Sequence, residues 1–225
     1  MDYPLFTVPF HHIASDHHFS HANIIKYAGR PFTSVAQMNG ELIARWNRAV
    51  APDENIVHLG DLNLGPFEES LALTGMLHGN KFLIPGNHDR ISSATNKPAY
   101  IEKFRPQYEA YGWTILDEIV ETVIAGRRVL LSHFPYRGDS RSDVERYMEH
   151  RPVNEGLPLI HGHTHSTDAT GPGYPRQFHA GVDANNFTPV PISTVEGWLD
   201  TVASRFPERF RTRHNQPHHQ LNDRT

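Results

Sequence analysis

The chain has 225 residues, a formal net charge of −4 and no cysteine. This length fits one domain with a sizeable core, and the lack of cysteine excludes disulfides and thiolate metal sites. The mild negative charge gives no general electrostatic reason to bind nucleic acid or an anionic membrane. The N-terminus does not read as a signal peptide, and no apolar run approaches the roughly 18 residues of a membrane span. We therefore expect a cytoplasmic protein that contacts no membrane.

Short apolar runs recur along the chain, and their length and β-branched content predict buried strands. In chain order, these runs are His12–Ala14, Ile56–Leu59, Lys81–Ile84, Val129–Leu131 and Leu157–Ile160. A further run, Ile119–Ile124, predicts a hairpin with the strand that follows it. Polar residues come directly after each of the five listed runs, which is typical of an α/β protein whose ligands bind at the carboxyl ends of its strands.

Amphipathic patterns between these runs predict three helices. The apolar positions of the first are Val35, Met38, Leu42 and Trp46. Ser34 and Gln37 form a possible capping box at its start. The second helix is expected over Phe67–Leu77 and the third over about Ala99–Tyr111.

Two segments lack a regular pattern. The charged segment Arg137–Glu155 fits a solvated loop or helix as well as it fits a lid that contacts substrate. From about Arg205 the apolar periodicity ends, so we expect residues 205–225 to form a flexible C-terminal tail after a single domain of residues 1–204.

Five short motifs carry the residues with metal-binding or acid–base chemistry. They are Asp16-His17-His18, Gly60-Asp61, Gly86-Asn87-His88-Asp89, Ser132-His133-Phe134 and Gly162-His163-Thr164-His165. A strand projects alternate side chains to one face, so Asp16 and His18 are expected to lie together, and so are His163 and His165. The remaining donors are Asp61, Asn87 and His133. Seven oxygen and nitrogen donors are too many for one tetrahedral zinc and suit two metal ions that share a carboxylate.

In this order the five motifs resemble those of the calcineurin-like metallophosphoesterases. The segments Asp16–Ile25, Arg30–Phe32 and Gly181–Asn186 are similar to the small stand-alone phosphoesterases of bacteria and their phages, although Ser20 replaces a glycine that is common in that group. The resemblance extends from roughly His12 to Ile192. It implies a four-layer α/β/β/α sandwich in which residues 1–204 form the catalytic domain.

The resemblance also implies how the donors would divide between two divalent metal ions. The first ion would be held by Asp16, His18, Asp61 and His165. Asp61 would bridge to a second ion, whose other ligands would be Asn87, His133 and His163. This mixture of carboxylate, amide and imidazole suits Mn²⁺ best, with Fe, Zn²⁺, Ni²⁺ or Co²⁺ as substitutes.

The expected function is hydrolysis of phosphodiesters, including cyclic and other nucleotides, by in-line attack of a hydroxide that bridges the two metals. His88 would protonate the leaving oxygen, and Asp89 would orient the His88 ring. The candidate substrate-binding residues are Arg30, Arg90 and Arg137, because arginine can bind phosphate with two hydrogen bonds. Each of these arginines is equally compatible with a surface charge.

Three alternatives remain open at this point. A phosphomonoesterase acting on a small metabolite or nucleotide would use the same centre. A DNA nuclease would share the motifs, but this chain is short and acidic; steep loss of affinity with salt would favour the nuclease. A non-catalytic scaffold would keep the fold, but such proteins typically lose a metal ligand or the acid histidine, and here His88 and all seven donors are present.

Overall fold

The computed structural model of the protein describes residues 2–141, 143–171 and 173–206. The strands are β1 His12–Ala14, β2 Asn55–His58, β3 Asn80–Leu83, β4 Trp113–Ile115, β5 Ile119–Ile124, β6 Arg127–Ser132, β7 Leu159–His161, β8 Gln177–His179 and β9 Val190–Pro191. The helices are α1 Ile24–Tyr27, α2 Val35–Ala49, α3 Phe67–Leu73, α4 Pro98–Ala110 and α5 Ile192–Arg205.

The strands form two sheets. The first has the order β4-β3-β2-β1-β9, in which β9 alone runs antiparallel to its neighbour. The second has the order β5-β6-β7-β8, with an antiparallel β5–β6 hairpin followed by parallel pairs. The predicted α/β sandwich of two sheets flanked by helices is therefore confirmed, as is the hairpin.

Two large apolar clusters hold these layers together. One lies between the sheets, where Val57 of β2 packs in the same cluster as Leu131 of β6, and α5 contributes Leu199 to it. The other lies on the outer face of the first sheet, against α2, α3 and α4, with Trp46 and Trp113 fully buried. Both faces of the first sheet are covered, and its central strand β2 contributes Ile56 to the outer cluster and Val57 to the inner one, as expected for parallel strands.

The three predicted helices are present with small shifts at their ends. At the start of α2, the Ser34 hydroxyl accepts a hydrogen bond from the Gln37 N–H at 3.1 Å. The Gln37 amide oxygen accepts from the Thr33 N–H at 2.7 Å, so the reciprocal half of the capping box lies one residue earlier than expected. The helix α3 ends at Leu73, and a 3₁₀ turn over Thr74–Met76 continues it.

The two irregular segments differ in how much the structure describes. In residues 137–155, the regular structure among the described residues is a single 3₁₀ turn over Met148–His150. The predicted tail begins where α5 ends, and its residues 207–225 lie outside the described part of the chain. None of the helices in the described ranges is long and apolar enough to span a membrane.

Candidate metal centre

The predicted ligands all lie at one edge of the sandwich, at the carboxyl ends of parallel strands from both sheets. Asp16 and His18 follow β1, Asp61 follows β2, and Asn87 follows β3. In the second sheet, His133 follows β6, whereas His163 and His165 follow β7. A parallel bridge between Ser15 and Gly181 joins the two sheets at this edge. The packing of the sheets therefore brings together residues that are up to 149 positions apart.

The expected strand geometry of the paired ligands is wrong. The strand β1 ends at Ala14 and β7 ends at His161, so the ligands lie in the loops that follow. Five of them have a left-handed backbone with positive φ, namely Asp16, His18, Asp61, His163 and His165. Non-glycine residues rarely adopt this conformation, which costs of order 1–3 kcal/mol per residue and is concentrated at functional sites. The side chains converge because the loops twist, not because a strand alternates.

Glycines make room for this convergence. A Cβ on Gly60, which has φ +86°, would overlap the backbone nitrogen of Gly86. A Cβ on Gly86 would in turn overlap the Asp61 carboxylate, and one on Gly162 would overlap the Ser15 hydroxyl. The glycines of the motifs therefore allow backbone segments of different strands to approach each other at the centre.

One group of donors consists of Asp16, His18 and His165, whose ligand atoms lie within 4.8 Å of one another. The Nε2 atoms of His18 and His165 are 3.2 Å apart. The Nδ1 atom of His18 is buried and has no hydrogen-bond partner among the described residues. Two imidazole nitrogens that face each other beside a carboxylate form a pocket of donors suited to a cation.

A second group consists of Asp16, Asp61 and His133, with ligand atoms within the same 4.8 Å. The two groups share Asp16, and the Asp61 carboxylate of the second group also reaches the first: its Oδ2 is 3.4 Å from His18 Nε2, and its Oδ1 is 3.6 Å from His133 Nε2. Asn87 joins through its amide oxygen, 3.1 Å from His133 Nε2. Asp61 thus occupies the position that a bridging ligand would need.

Hydrogen bonds hold one ring nitrogen of each of three predicted ligands. His165 Nδ1 lies 2.8 Å from Asp183 Oδ2, His163 Nε2 lies 3.2 Å from Asp139 Oδ2, and His133 Nδ1 lies 2.7 Å from the Leu59 carbonyl. Metal-binding histidines commonly donate their other ring N–H to a carboxylate or carbonyl in this way, because the contact fixes the tautomer and the ring orientation. The arrangement is what a metal site requires.

Burial shifts the pKa values of these rings. Burial, together with the nearby His165 and His88 rings, lowers the pKa of His18 well below its ordinary value. Burial and the His133 ring lower the pKa of His163 to about 4. For His165 burial acts in the same direction, but the hydrogen bond to Asp183 and the Asp16 charge outweigh it, so its pKa is raised. The first two rings are therefore neutral at pH 7, which is the form that binds metal.

The two predicted catalytic residues have different environments. The His88 side chain is 40% exposed, and its Nε2 lies 3.9 Å from Asp61 Oδ2, at the solvent side of the centre. Asp89 is buried and points elsewhere, because its carboxylate accepts hydrogen bonds from the backbone N–H groups of Asp61, Leu62 and Gly86 at 2.8–3.1 Å. The predicted role of Asp89 in orienting His88 is therefore wrong. Asp89 instead ties the loop after β2 to the loop after β3.

One of the three candidate substrate-binding arginines is also wrong. Arg30 is buried in a salt bridge to Asp183 and donates to the carbonyls of Asp16 and His17, so protein groups occupy its guanidinium. The Arg90 guanidinium lies over the rings of Phe67 and Phe104, 4.2 and 4.6 Å from their centroids. These ring contacts leave its N–H groups open, and the role of Arg90 in binding substrate stays a prediction.

The side chain of the third candidate, Arg137, is exposed. It lines a cavity of about 310 Å³ that Thr164 and His179 also line. Its role in binding substrate stays a prediction.

Several residues of the centre were missed by the sequence reasoning. They are Asp139, Arg146, His179 and Asp183. Asp183 lies in the segment 181–186, whose resemblance was noted without a role for this residue, and His179 ends the short strand β8 with its Nε2 3.6 Å from Asp16 Oδ2. Asp139 and Arg146 lie in the irregular loop, where no periodic pattern marks them. Asp139 lies six residues after His133, so a search for acids close to the histidine motifs would have found it, whereas Asp183 lies 18 residues after His165.

Taken together, the fold and this edge define a two-sheet α/β protein with buried Asp and His groups that could hold metal ions. Over 185 residues the chain is 33% identical to the Gene 66 protein of Mycobacterium phage D29, an alignment covering 76% of this chain and 86% of the phage protein. Over 184 residues it is 30% identical to the Gene 66 protein of Mycobacterium phage L5, covering 76% and 84%. The chain therefore belongs to the family of the mycobacteriophage Gene 66 proteins. No family model matches the chain.

The fold also occurs in a solved structure. The crystal structure of the protein of unknown function AQ665 from Aquifex aeolicus superposes with a TM-score of 0.63 over 86% of this chain and 98% of that protein. The two sequences are 24% identical, so the likeness concerns the fold alone.

Proposed function

We propose that the protein is a phosphoesterase that depends on two divalent metal ions and hydrolyses phosphodiesters. The observation that carries this proposal is the convergence of donors from both sheets on one buried centre. Asp16, His18, Asp61, His133 and His165 form two overlapping groups of ligand atoms, and the Asn87 amide oxygen lies beside His133. Structural sites for a single metal are closed by about four ligands. A set this large instead suits two neighbouring cations, as in hydrolytic enzymes that act on phosphate esters.

The donors fit Mn²⁺ or a similar ion. Asp16, His18, Asp61 and His165 would hold one cation, and Asp61, Asn87, His133 and His163 the other. The set contains no sulfur, and mixed carboxylate, amide and imidazole ligands accept several first-row divalent metals. When bound, the cations would activate a water molecule and neutralise charge on the phosphoryl oxygens.

Residues of this chain would supply the proton. The exposed His88 ring faces both solvent and the Asp61 carboxylate, so its Nε2 can hold a proton next to the leaving oxygen of a bound ester. The backbone N–H of His88 donates to Asp61 Oδ1 at 2.8 Å, and this hydrogen bond fixes the backbone that carries the ring. Because the ring stands at the open side, a substrate with groups on both sides of phosphorus can reach it. This favours phosphodiesters, including nucleotides, over monoesters.

The test is turnover by metal-stripped protein reconstituted with Mn²⁺, on bis-p-nitrophenyl phosphate and p-nitrophenyl phosphate in parallel. We expect the diester to be hydrolysed faster. His88→Ala should lower kcat by about 10²–10⁴-fold, the usual contribution of a general acid, while Mn²⁺ affinity is retained. His11→Ala is the matched control, because His11 is exposed and lies before the opposite end of β1.

Faster hydrolysis of the monoester would favour the phosphomonoesterase instead and leave the metal chemistry in place. The absence of turnover in protein that binds two Mn²⁺ ions would contradict the enzymatic proposal and favour a scaffold.

A further inference from the structure

The irregular loop of residues 137–155 is built around one carboxylate. Asp139 accepts hydrogen bonds from the Arg146 N–H at 3.0 Å, from Arg146 Nε at 3.0 Å and from Arg146 Nη2 at 2.6 Å. The loop therefore has a defined conformation on this side of the centre.

A second arginine supports that conformation from behind. The Arg151 guanidinium is 3% exposed and donates to the Arg146 carbonyl through Nε at 3.0 Å and Nη2 at 2.8 Å. Its Nη1 donates to Glu145 at 3.0 Å. Protein groups thus occupy Arg151 completely, and its part in the loop is to hold the backbone at Arg146.

The Arg146 guanidinium is close enough to the centre to feel its charge: the hydrogen bonds to Asp139 and, among the nearby charges, that of Asp61 raise the pKa of Arg146. The Asp139 carboxylate that binds Arg146 through Oδ1 also lies 3.2 Å from His163 Nε2 through Oδ2. The next residue, Tyr147, has a left-handed backbone, and its ring packs against the His163 ring with centroids 5.7 Å apart. Arg146 is therefore separated from a predicted ligand by a single carboxylate.

Part of this guanidinium is left without a protein partner. Nε and Nη2 bind Asp139, and Nη2 also donates to the Ser140 hydroxyl at 2.8 Å. Within the described ranges, Nη1 donates to no protein atom, and the side chain is 32% exposed. A guanidinium that is fixed on one edge and open on the other can bind an anion with little loss of side-chain entropy.

We propose that Arg146 binds an oxygen of the phosphoryl group and is the arginine that determines affinity for phosphate in this centre. The inference rests on the proposed function, and it assigns to Arg146 a role that the buried Arg30 cannot fill. The open Nη1 edge would donate to a phosphoryl oxygen, while Asp139 keeps the guanidinium from rotating away. Orthophosphate and the phosphoryl group of an ester present the same oxygens, so free phosphate serves as a probe.

The experiment is isothermal titration of inorganic phosphate into the Mn²⁺-loaded protein, together with KM and kcat on bis-p-nitrophenyl phosphate. For Arg146→Gln we expect phosphate Kd and substrate KM to rise about 10- to 100-fold, as for loss of a hydrogen bond between charged groups. Arg146→Lys should recover part of the affinity. Arg141→Gln is the matched control: Arg141 is 61% exposed in the same loop and pairs with the exposed Asp143.

Mn²⁺ affinity separates this role from a structural one. If Arg146 only supports His163 through Asp139, then Arg146→Gln and Asp139→Asn will weaken Mn²⁺ binding alike and leave phosphate Kd at saturating Mn²⁺ unchanged, which overturns the inference. Normal turnover by Arg146→Gln with unchanged KM overturns it as well and leaves the proposed function intact. Wild-type protein that binds phosphate through Arg146 but turns over neither ester contradicts the proposed function and supports the inference.

Discussion

Arg30 joins two parts of the centre through groups that do not reach solvent. Its guanidinium binds Asp183 through Nε at 2.8 Å and Nη2 at 3.0 Å, and the two side chains are 0% and 2% exposed. The same guanidinium donates to the carbonyls of Asp16 and His17, whose loop contains the first ligands. Asp183 in turn holds His165. The Arg30–Asp183 ion pair therefore holds the loop after β1 against the loop after β7.

We expect Arg30→Gln to lower the free energy of unfolding. The change leaves the buried Asp183 carboxylate without its cation, and breaking a buried ion pair on one side costs about 3–5 kcal/mol. Urea denaturation of the metal-free variant measures the free energy of unfolding. Arg141→Gln, which removes an exposed pair, should change it by less than about 1 kcal/mol. Equal effects of the two changes would contradict the structural role of Arg30.

Lys81 provides a prediction about pH that does not involve the centre. Its ammonium lies on β3, donates to the carbonyls of Thr74 and Leu77 at 3.0 and 3.3 Å, and lies 5.5 Å from the centroid of the Trp113 ring. Burial lowers the pKa of Lys81 from 10.5 to about 8. The folded state therefore binds this proton more weakly than the unfolded state does, and the cost of burying the charge is fully present below pH 8.

We expect the free energy of unfolding of the wild type, relative to Lys81→Met, to rise by roughly 1–3 kcal/mol between about pH 8 and pH 10.5. The sign follows because the unfolded chain keeps the Lys81 proton over this interval while the folded chain releases it. Methionine has a similar length and no charge, so the difference between the two proteins isolates this titration. Urea denaturation at several pH values measures it, and a difference that is flat with pH would contradict the prediction.

At the scale of the elements, the turns that follow β2 and β3 depend on each other. Gly60 has φ +86°, and its α-carbon faces the backbone of Pro85 and Gly86, where any side chain would overlap. Asp89 then joins the same two turns through its three backbone hydrogen bonds. The ends of these strands are therefore held at a distance that only glycine permits.

Gly60→Ala should destabilise the fold by more than the cost of a left-handed alanine alone, which is about 1–2 kcal/mol. Gly126→Ala is the control, because Gly126 has φ +74° in the β5–β6 turn and an added Cβ would meet nothing within 4 Å. Thermal denaturation of both variants separates backbone strain from overlap. An equal loss of stability in the two variants would contradict the prediction, because it would mean that the overlap at Gly60 adds nothing to the cost of the left-handed backbone.

The elements that the sequence predicted well are those whose pattern is local. The apolar face of α2 and the runs of β1, β2 and β3 are readable, because burial on one or both faces forces a periodicity. The strands β8 and β9 have three and two residues, too few for any period to stand out. The helix α5 does carry an apolar stripe with Val195, Leu199 and Val202 buried, a signal that the sequence reasoning did not use.

The residues of the candidate centre could be named from their motifs, but their geometry could not be predicted. The positive φ of Asp16 or His163 cannot be predicted from the sequence, because tertiary contacts impose this conformation on residue types that rarely adopt it. The errors at Arg30 and Asp89 have a common cause. Each is a charged residue whose partner is distant in the chain or is a backbone group, and sequence spacing contains no information about such partners.

At the scale of the whole molecule, the centre exists only when both sheets are packed. Its donors come from loops on the two sides of the sandwich, so an unfolded chain cannot present them together. A metal ion that binds the folded state alone stabilises it in proportion to the logarithm of its concentration over Kd. Folding and metal binding are therefore coupled if the proposed function is correct.

We expect Mn²⁺ at 100 times its Kd to stabilise the metal-stripped protein by about 2.7 kcal/mol per ion bound. Thermal denaturation during a Mn²⁺ titration measures this, with EDTA to reverse the shift. Asp61→Asn should abolish most of the shift because it removes the carboxylate that reaches both groups of donors. A shift of the same size in Asp61→Asn would contradict the assignment of this centre to metal.

The left-handed backbone at five of the ligands has a consequence for how this protein can change over time. Each of these positions holds a non-glycine residue in a conformation that glycine would adopt freely. The resulting backbone strain is tolerated only because the surrounding fold is stable enough to offset it. If the centre binds metal as proposed, selection for that function must act continuously to keep it. In a descendant that no longer needs the metal, one substitution could remove a ligand and relieve the backbone strain of its loop together. Restoring the centre would require that the ligand and the strained backbone be regained at the same time.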